Sequence, residues 1–240
     1  MQHKKEKLKN KTYTVNGVSF IMVAVKGGAF QMGATKEQQS PDNDEKPVHQ
    51  VTLSDYYIGE TEVTQALWKA VMGSNPSNWK GDNLPVEQVS WYECEEFIKK
   101  LSQLTGVQFS LPTEAQWEYA ARGGNQSRGY QYSGSNHLGD VAWYTDNSGR
   151  DTHAVKTKQP NELGLYDMSG NVWEWCQDWY GSYSSGVQTD PQGPTSGSYR
   201  VSRGGSWSSG AGGCRVSDRS TASCYGNINL GLRLSVSSQK

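Results

Sequence analysis

The residues best suited to redox or metal chemistry in this chain are its cysteines and histidines. The cysteines are Cys94, Cys176, Cys214 and Cys224. They are too few and too scattered for a disulfide framework, and none forms a close metal-binding pair, so we expect free thiols. The histidines, which lack the spacing of metal ligands, are His3, His49, His137 and His153. No Ser-His-Asp arrangement and no phosphate-binding loop is apparent.

A second unusual feature is the composition of the stretch from Ser208 to Ser238. Residues 1–207 contain 57 Lys, Glu, Gln, Met or Trp residues, so about eight would be expected in this stretch, yet it contains none. These five types are the ones that a codon ending in a pyrimidine cannot encode when its first two bases vary. The depletion therefore indicates randomised codons, although a surface loop rich in glycine and serine would also lack bulky residues.

The overall composition favours one globular domain and excludes several kinds of partner. The net charge of −1 over 240 residues gives no field that favours nucleic acid or an anionic membrane. No apolar run approaches the roughly 18 residues of a membrane-spanning helix, and no export signal follows the basic N-terminus. We expect residues 1–11 to form a flexible basic tail and residues 12–240 to form a single domain.

The elements that must position the C-terminal stretch are clearest in the first half of the chain. Apolar residues from Val15 to Val25 and then to Met32 predict a hairpin with a turn at Gly27-Gly28. A strand is predicted from Val48 to Leu53, and Tyr56 to Ile58 should continue its sheet. Capping residues and helical spacing predict three helices, which begin after Thr64, Ser90 and Thr113.

Glycine dominates the second half of the chain, where 19 of the 27 glycines lie from Gly123 onward. Helical periodicity is largely lost there, so short strands and long glycine-rich loops are expected. Five tryptophans continue through this half and need a shared core, which favours one domain.

Several phrases of the sequence resemble the family of formylglycine-generating enzymes, also called sulfatase-modifying factors. They are the segments 27–33 (GGAFQMG), 62–64 (EVT), 111–118 (LPTEAQWE), 170–175 (GNVWEW), 203–207 (RGGSW) and 230–233 (LGLR). They follow the family's order and cover roughly residues 17 to 235. The resemblance implies an α+β, C-type-lectin-like fold with short strands and about three helices.

The resemblance also implies a structural calcium site, which is the only cofactor expected. In the resembling enzymes the stretch around Asn171, Val172 and Glu174 contributes ligands, and carboxylate, amide and carbonyl oxygens suit calcium. The alternative is that Asn171 holds a turn and that Glu174 is paired or hydrogen-bonded.

Catalysis in the resembling oxidases depends on two cysteines shortly after the Gly-Gly-Ser-aromatic motif, where they bind copper. The corresponding stretch here, Ser208 to Gly213, contains no cysteine, so we expect no enzymatic activity. An oxidase acting on a substrate cysteine through Cys214 and Cys224 is the alternative, as is a non-catalytic family member with one fixed partner.

The depleted stretch is similar to the variable region of the proteins encoded by diversity-generating retroelements, which share the C-type-lectin-like fold. This resemblance implies a display protein that binds a protein or surface glycan through residues 207–229. Trp207 and the following candidate variable positions would contact the ligand: Ser208, Ser209, Gly210, Gly212, Gly213, Asp218, Ser220, Thr221, Ala222, Tyr225, Gly226 and Ile228. The expected framework is Arg215, Ser217, Arg219, Leu230, Gly231 and Arg233. Such a protein would sit on a phage particle or a bacterial surface.

Overall fold

The computed structural model describes residues 8–237 and shows short strands and helices joined by long loops. The helices are α1 (Gln65–Met72), α2 (Trp91–Thr105), α3 (Glu114–Ala121) and α4 (Leu138–Val141). The strands are β1 (Lys11–Val15), β2 (Val18–Val25), β3 (Gly28–Met32), β4 (His49–Leu53), β5 (Tyr56–Gly59), β6 (Trp173–Trp179), β7 (Gln188–Thr189), β8 (Arg200–Arg203), β9 (Arg219–Ala222), β10 (Leu230–Leu232) and β11 (Ser235–Ser237). Within the described residues they form three sheets, in the orders β1-β2-β5-β11, β10-β6-β8-β9 and β3-β4-β7.

The three predicted helices are confirmed, and each begins at its predicted cap. The Thr64 hydroxyl accepts a hydrogen bond from the backbone N–H of Leu67 at 3.2 Å. Ser90 and Thr113 each open a capping box, and glycines in the left-handed conformation end α1 and α2. Helix α4 was not predicted, because its four residues are too few to show helical periodicity.

The opening strands pair differently from the predicted hairpin. Strand β2 pairs with β1 and with β5, whereas β3 pairs with β4 in another sheet. Strand β5 therefore does not continue the sheet of β4. Gly27 serves close packing rather than a turn, since a Cβ there would lie 2.1 Å from the carbonyl oxygen of Leu53. The predicted turn at Gly27-Gly28 is wrong, because Gly27 instead lets two segments of backbone approach each other closely. The prediction that Tyr56 to Ile58 continues the sheet of β4 is wrong as well.

The N-terminal tail is shorter than predicted. Lys11 already pairs with Met22 in the β1-β2 ladder, and the side-chain oxygen of Asn10 accepts a hydrogen bond from the backbone N–H of Ala24 at 2.9 Å. Leu8 contacts the hydrophobic core. Residues 8–11 therefore belong to the folded domain, and the rest of the predicted tail lies outside the described residues.

The sheet β10-β6-β8-β9 carries the C-terminal stretch on a buried core of aromatic and charged side chains. Trp175 on β6 is buried, and its indole N–H donates to the carbonyl oxygen of Val89 at 3.0 Å. Arg203 at the end of β8 is buried and forms an ion pair with Glu118. Strand β9 is one of the two edge strands of this sheet, so the residues that follow it lie at that edge. Among residues 8–237, no helix is long and apolar enough to cross a membrane.

Candidate functional site

The C-terminal stretch forms two accessible segments that are separated by a buried one. We name residues 207–213 the first segment and residues 220–229 the second segment, and together they make up the C-terminal face. All residues of both segments are exposed or half-buried, whereas residues 214–219 between them are all buried. This alternation separates side chains that a ligand could contact from side chains that hold the fold.

The backbone of the first segment is fixed largely by groups outside it. The backbone N–H of Trp207 donates to the carbonyl oxygen of Asn171 at 2.8 Å, and the carbonyl oxygen of Trp207 accepts from the Ser148 hydroxyl at 2.7 Å. The carbonyl oxygen of Ser209 accepts from the backbone N–H of Thr145 at 3.0 Å. These bonds use backbone atoms of the segment, so they would persist if its side chains changed.

Three glycines of the first segment have room for a side chain. A Cβ at Gly210 or Gly212 would have no neighbouring atom within 4 Å, and at Gly213 the nearest would be the Ser209 Cβ at 3.4 Å. None of the three has a positive φ. The preceding Gly204 and Gly205 differ, because their φ angles are +100° and +75° and a Cβ there would lie 3.0 Å from Trp117 and 2.7 Å from Cys214. The replaceable glycines thus begin where the depleted composition begins.

The second segment is also held mainly through its backbone. Strand β9 pairs with β8, the carbonyl oxygen of Cys224 accepts from the backbone N–H of Trp91 at 3.2 Å, and that of Asn227 accepts from Gln88 at 2.9 Å. Between these two anchors Tyr225 projects into solvent with 80% of its surface exposed. Among the described residues of the C-terminal face, Tyr225 is the one exposed large hydrophobic side chain.

Two hydrogen bonds join the segments into one surface. The indole N–H of Trp207 donates to the carbonyl oxygen of Ile228 at 3.3 Å, and the side-chain amide of Asn229 donates to the Ser208 hydroxyl at 3.3 Å. The ring of Trp207 also contacts that of Trp79 edge to face, with centroids 5.1 Å apart. A single ligand could therefore contact both segments.

The buried stretch between the segments is fastened by ion pairs. The guanidinium of Arg215 donates to both carboxylate oxygens of Glu45 at 2.7 Å, and that of Arg219 donates to Glu114 at 2.6 and 2.9 Å. Ser217 is fully buried. Leu230, Gly231 and Arg233 are buried as well, so all six residues expected to form the framework are buried.

Two predicted ligand-binding positions do not fit the C-terminal face. Asp218 is buried with 8% of its surface exposed, and its carboxylate faces Arg215 at 3.4 Å. Gly226 has exposed backbone, but a Cβ there would lie 2.6 Å from the backbone of Gln88. We therefore assign Asp218 and Gly226 to the framework. The other predicted positions remain on the accessible segments.

The burial of Asp218 makes the stability of the protein depend on pH. Burial raises the pKa of this carboxyl to about 7, since the charge of Arg215, which lowers the pKa, does not outweigh burial and the nearby carboxylate of Glu45 raises it further. The folded chain then keeps a proton that the unfolded chain releases near pH 4, so the contribution of Asp218 to stability falls as the pH rises between these values. Asp218→Asn should therefore gain stability relative to the wild type, by about 1–3 kcal/mol, as the pH rises from about 4 to 8.

Urea denaturation of both proteins across this pH range measures the effect. A difference between them that stays constant with pH would show that Asp218 does not titrate in this range.

Comparison with known proteins identifies the family of this chain. A family model described as the sulfatase-modifying factor enzyme 1-like domain matches residues 9–237. The chain belongs to this family. Chaperone protein LppX of Paenibacillus barcinonensis is 36% identical, over 79% of this chain and 79% of that protein. A formylglycine-generating enzyme of Streptomyces coelicolor is 31% identical, over 77% of this chain and 78% of that protein.

One solved structure that resembles this chain is Treponema denticola variable protein 1. It is 38% identical to this member of the sulfatase-modifying factor family, with a TM-score of 0.86, and the match covers 95% of this chain and 99% of that chain. The predicted α+β, C-type-lectin-like fold is thereby confirmed.

The side chains implied as calcium ligands by the sulfatase-modifying factor family have protein partners in this structure. The carboxylate of Glu174 accepts hydrogen bonds from Arg233 at 2.8 to 3.1 Å and from the indole N–H of Trp117 at 2.7 Å. The side-chain oxygen of Asn171 accepts from the backbone N–H of His153 at 3.0 Å. Arg233 neutralises the Glu174 carboxylate, and the side-chain oxygens of Asn171 and Glu174 already have protein partners. These bonds favour the alternative in which Asn171 holds a turn and Glu174 is paired, and calcium at Asn171, Val172 and Glu174 stays a prediction.

The cysteines that would replace the copper-binding pair of the oxidases lie in different parts of the core. Cys214 is buried in a small cluster with Tyr132 and Leu138, whereas Cys224 packs against the main cluster near Trp91. Burial raises the pKa of the Cys214 thiol to about 12, which disfavours the thiolate that copper needs. The structure thus gives these two thiols no shared site.

Two residues of the site could not be assigned from the sequence. Trp173 and Ser202 lie on β6 and β8 beneath the second segment, although neither belongs to the depleted stretch. Neighbouring strands of one sheet place them there, and no local pattern in the sequence indicates that pairing. The GNVWEW motif did mark Trp173, but as a packing residue.

Proposed function

We propose that this protein is a ligand-binding display protein whose C-terminal face is the variable surface of a diversity-generating retroelement. One observation carries the proposal: the stretch that lacks Lys, Glu, Gln, Met and Trp contains the two accessible segments, and Gly210, Gly212 and Gly213 of the first segment have room for a side chain. Between the two segments the chain is buried and held by ion pairs, so the accessible side chains lie on a fixed backbone. Such a division is what variation on a fixed scaffold requires.

Two further findings support the proposal. The 38% identical structure bears the name of a variable protein, and its match extends over nearly the whole chain. The nearly neutral net charge favours a protein or surface glycan over nucleic acid as the ligand.

Binding rather than catalysis is the activity that the face supports. The first segment has no thiol, and Cys214 and Cys224 lie in separate clusters, so the copper chemistry of the related oxidases lacks its ligands. The formylglycine-generating enzymes among the relatives show that catalysis occurs in the family. We propose that this chain has kept their scaffold and uses the corresponding surface for recognition.

The expected anchor of recognition is Tyr225. Replacing a rigid, exposed aromatic side chain at the centre of a binding surface typically removes much of the affinity. We expect Tyr225→Ala to weaken binding about tenfold or more. The measurement is binding of the purified chain to arrays of surface glycans and cell-surface proteins, followed by titration of the spots that the wild type binds.

Leu104→Ala is the matched control, because Leu104 is a large apolar residue that is 56% exposed on α2, outside both segments. It should leave binding unchanged. Equal binding by wild type and Tyr225→Ala at every spot would argue against the C-terminal face as the binding surface.

A further inference from the structure

The second segment covers a pocket on the face of the sheet β10-β6-β8-β9. The pocket has a volume of about 330 Å³, which is close to the space needed by one or two sugar rings. Its floor includes Trp173 and Ser202, and its walls include Tyr225, Asn227 and Asn229. The pocket is therefore built from residues on both sides of the boundary between framework and variable positions.

The floor of the pocket includes a nearly buried serine, Ser202. Ser202 is only 3% exposed, it lines the pocket, and its hydroxyl makes no hydrogen bond with any residue between positions 8 and 237. The neighbouring hydroxyl of Ser220, which also lines the pocket, lacks a partner among the same residues. Polar groups that are nearly buried are usually hydrogen-bonded, so the Ser202 hydroxyl favours a polar occupant, and the half-buried Ser220 hydroxyl offers that occupant a second partner.

The charge of the lining restricts that occupant. None of the residues that line the pocket is charged, and most are serines, a threonine and two asparagines. Asn227 and Asn229 each retain side-chain hydrogen-bonding capacity, since each makes one hydrogen bond through that group. Trp173 and Tyr225 add aromatic surface. Neutral hydroxyls and amides beside aromatic rings suit a neutral, polyhydroxylated ligand.

We propose that this pocket binds a neutral sugar residue of a glycan. The sugar ring lies on Trp173, and its hydroxyl groups pair with Ser202, Ser220 and the asparagine amides. An apolar side chain from a protein ligand would instead leave the buried Ser202 hydroxyl unpaired, which disfavours that occupant.

The lining residues differ in whether they belong to the depleted stretch, and the inference drawn from this difference rests on the proposed variable surface. Trp173 and Ser202 precede the depleted stretch, so every copy of the protein would carry the same floor. Ser220, Thr221, Ala222 and Tyr225 belong to the candidate variable positions and line the walls. The fixed floor then binds a sugar ring in general, and the variable walls select which sugar it is.

Saturation-transfer NMR with the full chain tests this proposal. The probes are the methyl glycosides of glucose, galactose, mannose, fucose and N-acetylglucosamine, with N-acetylneuraminic acid as the charged comparison. At least one neutral sugar should bind with a Kd on the order of 1–10 mM, as single sugars do without avidity, and the charged sugar should not bind.

Variants connect the signal to the pocket. Ser202→Ala should weaken binding about 3- to 10-fold by removing one hydrogen bond, and it should leave the fold unchanged because the hydroxyl has no partner in the described chain. Trp173→Ala should abolish binding and Trp173→Phe should retain part of it. Ser185→Ala, an exposed serine outside the pocket, is the control. The proposal is overturned if no neutral sugar gives a signal at about 20 mM, or if neither Ser202→Ala nor Trp173→Ala reduces it.

The failure of the pocket and the failure of the variable surface are distinguishable. If no sugar binds but Tyr225→Ala still removes binding to a protein on the arrays, the sugar pocket is wrong and the binding surface stands. If a sugar binds through Trp173 while the walls prove constant among gene copies, the pocket stands and the variable surface is wrong.

Discussion

Gly205→Ala is expected to destabilise the protein by about 2–5 kcal/mol, whereas Gly212→Ala, seven positions further along the chain, should have little effect or stabilise it slightly. Gly205 has a φ of +75°, and a Cβ there would lie 2.7 Å from both the Cys214 sulfur and the carbonyl oxygen of Gly213. An alanine would therefore suffer both backbone strain and overpacking. Gly212 has no positive φ, and a Cβ at this position would meet no atom within 4 Å.

Urea denaturation of the two variants beside the wild type measures the contrast. The two glycines lie on opposite sides of the start of the first segment, so the comparison tests where the framework ends. Equal destabilisation by both substitutions would contradict the assignment of Gly212 to a replaceable position.

Arg233→Met is expected to cost about 3–5 kcal/mol, because it leaves a buried carboxylate without its partner. Arg233 is fully buried, pairs with Glu174, and donates to the carbonyl oxygens of Gly59 at 2.8 Å and Tyr166 at 2.7 Å. Two further buried acids, Glu62 and Asp167, face the same guanidinium, and burial raises the pKa of each carboxyl. Loss of Arg233 would thus remove the positive charge that neutralises this cluster.

Adding Glu174→Gln to Arg233→Met should restore part of the lost stability, since no charged carboxylate then remains at position 174. Arg128→Met, which changes an exposed arginine, should leave the unfolding midpoint unchanged. If the double variant is no more stable than Arg233→Met alone, the ion pair is not the source of the loss.

Local signals in the sequence were sufficient for α1, α2 and α3 but not for the short helix α4 or for the pairing of strands. Ser90 with Glu93 and Thr113 with Gln116 predicted α2 and α3 correctly, because a capping box involves residues three positions apart. Strand β2 pairs with its neighbour β1 and also with β5, more than thirty residues away, and no adjacent residue indicates the pairing with β5. A glycine can indicate either a turn or a close approach of two backbone segments, and at Gly27 it is the close approach.

The C-terminal face was accessible to sequence reasoning for a different reason. Its signal lies in composition, which marks the whole stretch but cannot resolve single positions within it. Asp218 and Gly226 share the small or polar character of their neighbours. Asp218 is nevertheless buried beside Arg215, and the backbone of Gln88 leaves no room for a side chain at position 226. Trp173 and Ser202 reach the same pocket from other strands, which only the fold reveals.

The framework and the C-terminal face are therefore held in place by different interactions. Ion pairs such as Arg215 with Glu45 and Arg219 with Glu114 fix the buried stretch, and backbone hydrogen bonds fix the segments on either side of it. Side chains at the accessible positions contribute little to the core, so they can change without unfolding the protein.

Sequencing of this gene and of any adjacent near-repeat, across many genomes of its source population, tests the central claim most directly. We expect substitutions at the first two codon bases of accessible positions such as Ser208, Gly212, Thr221 and Tyr225, templated by adenines in the repeat. The codons for the buried stretch, residues 214–219, should remain constant. An invariant C-terminal stretch with no repeat, or substitutions spread equally over buried and accessible codons, would contradict the variable surface.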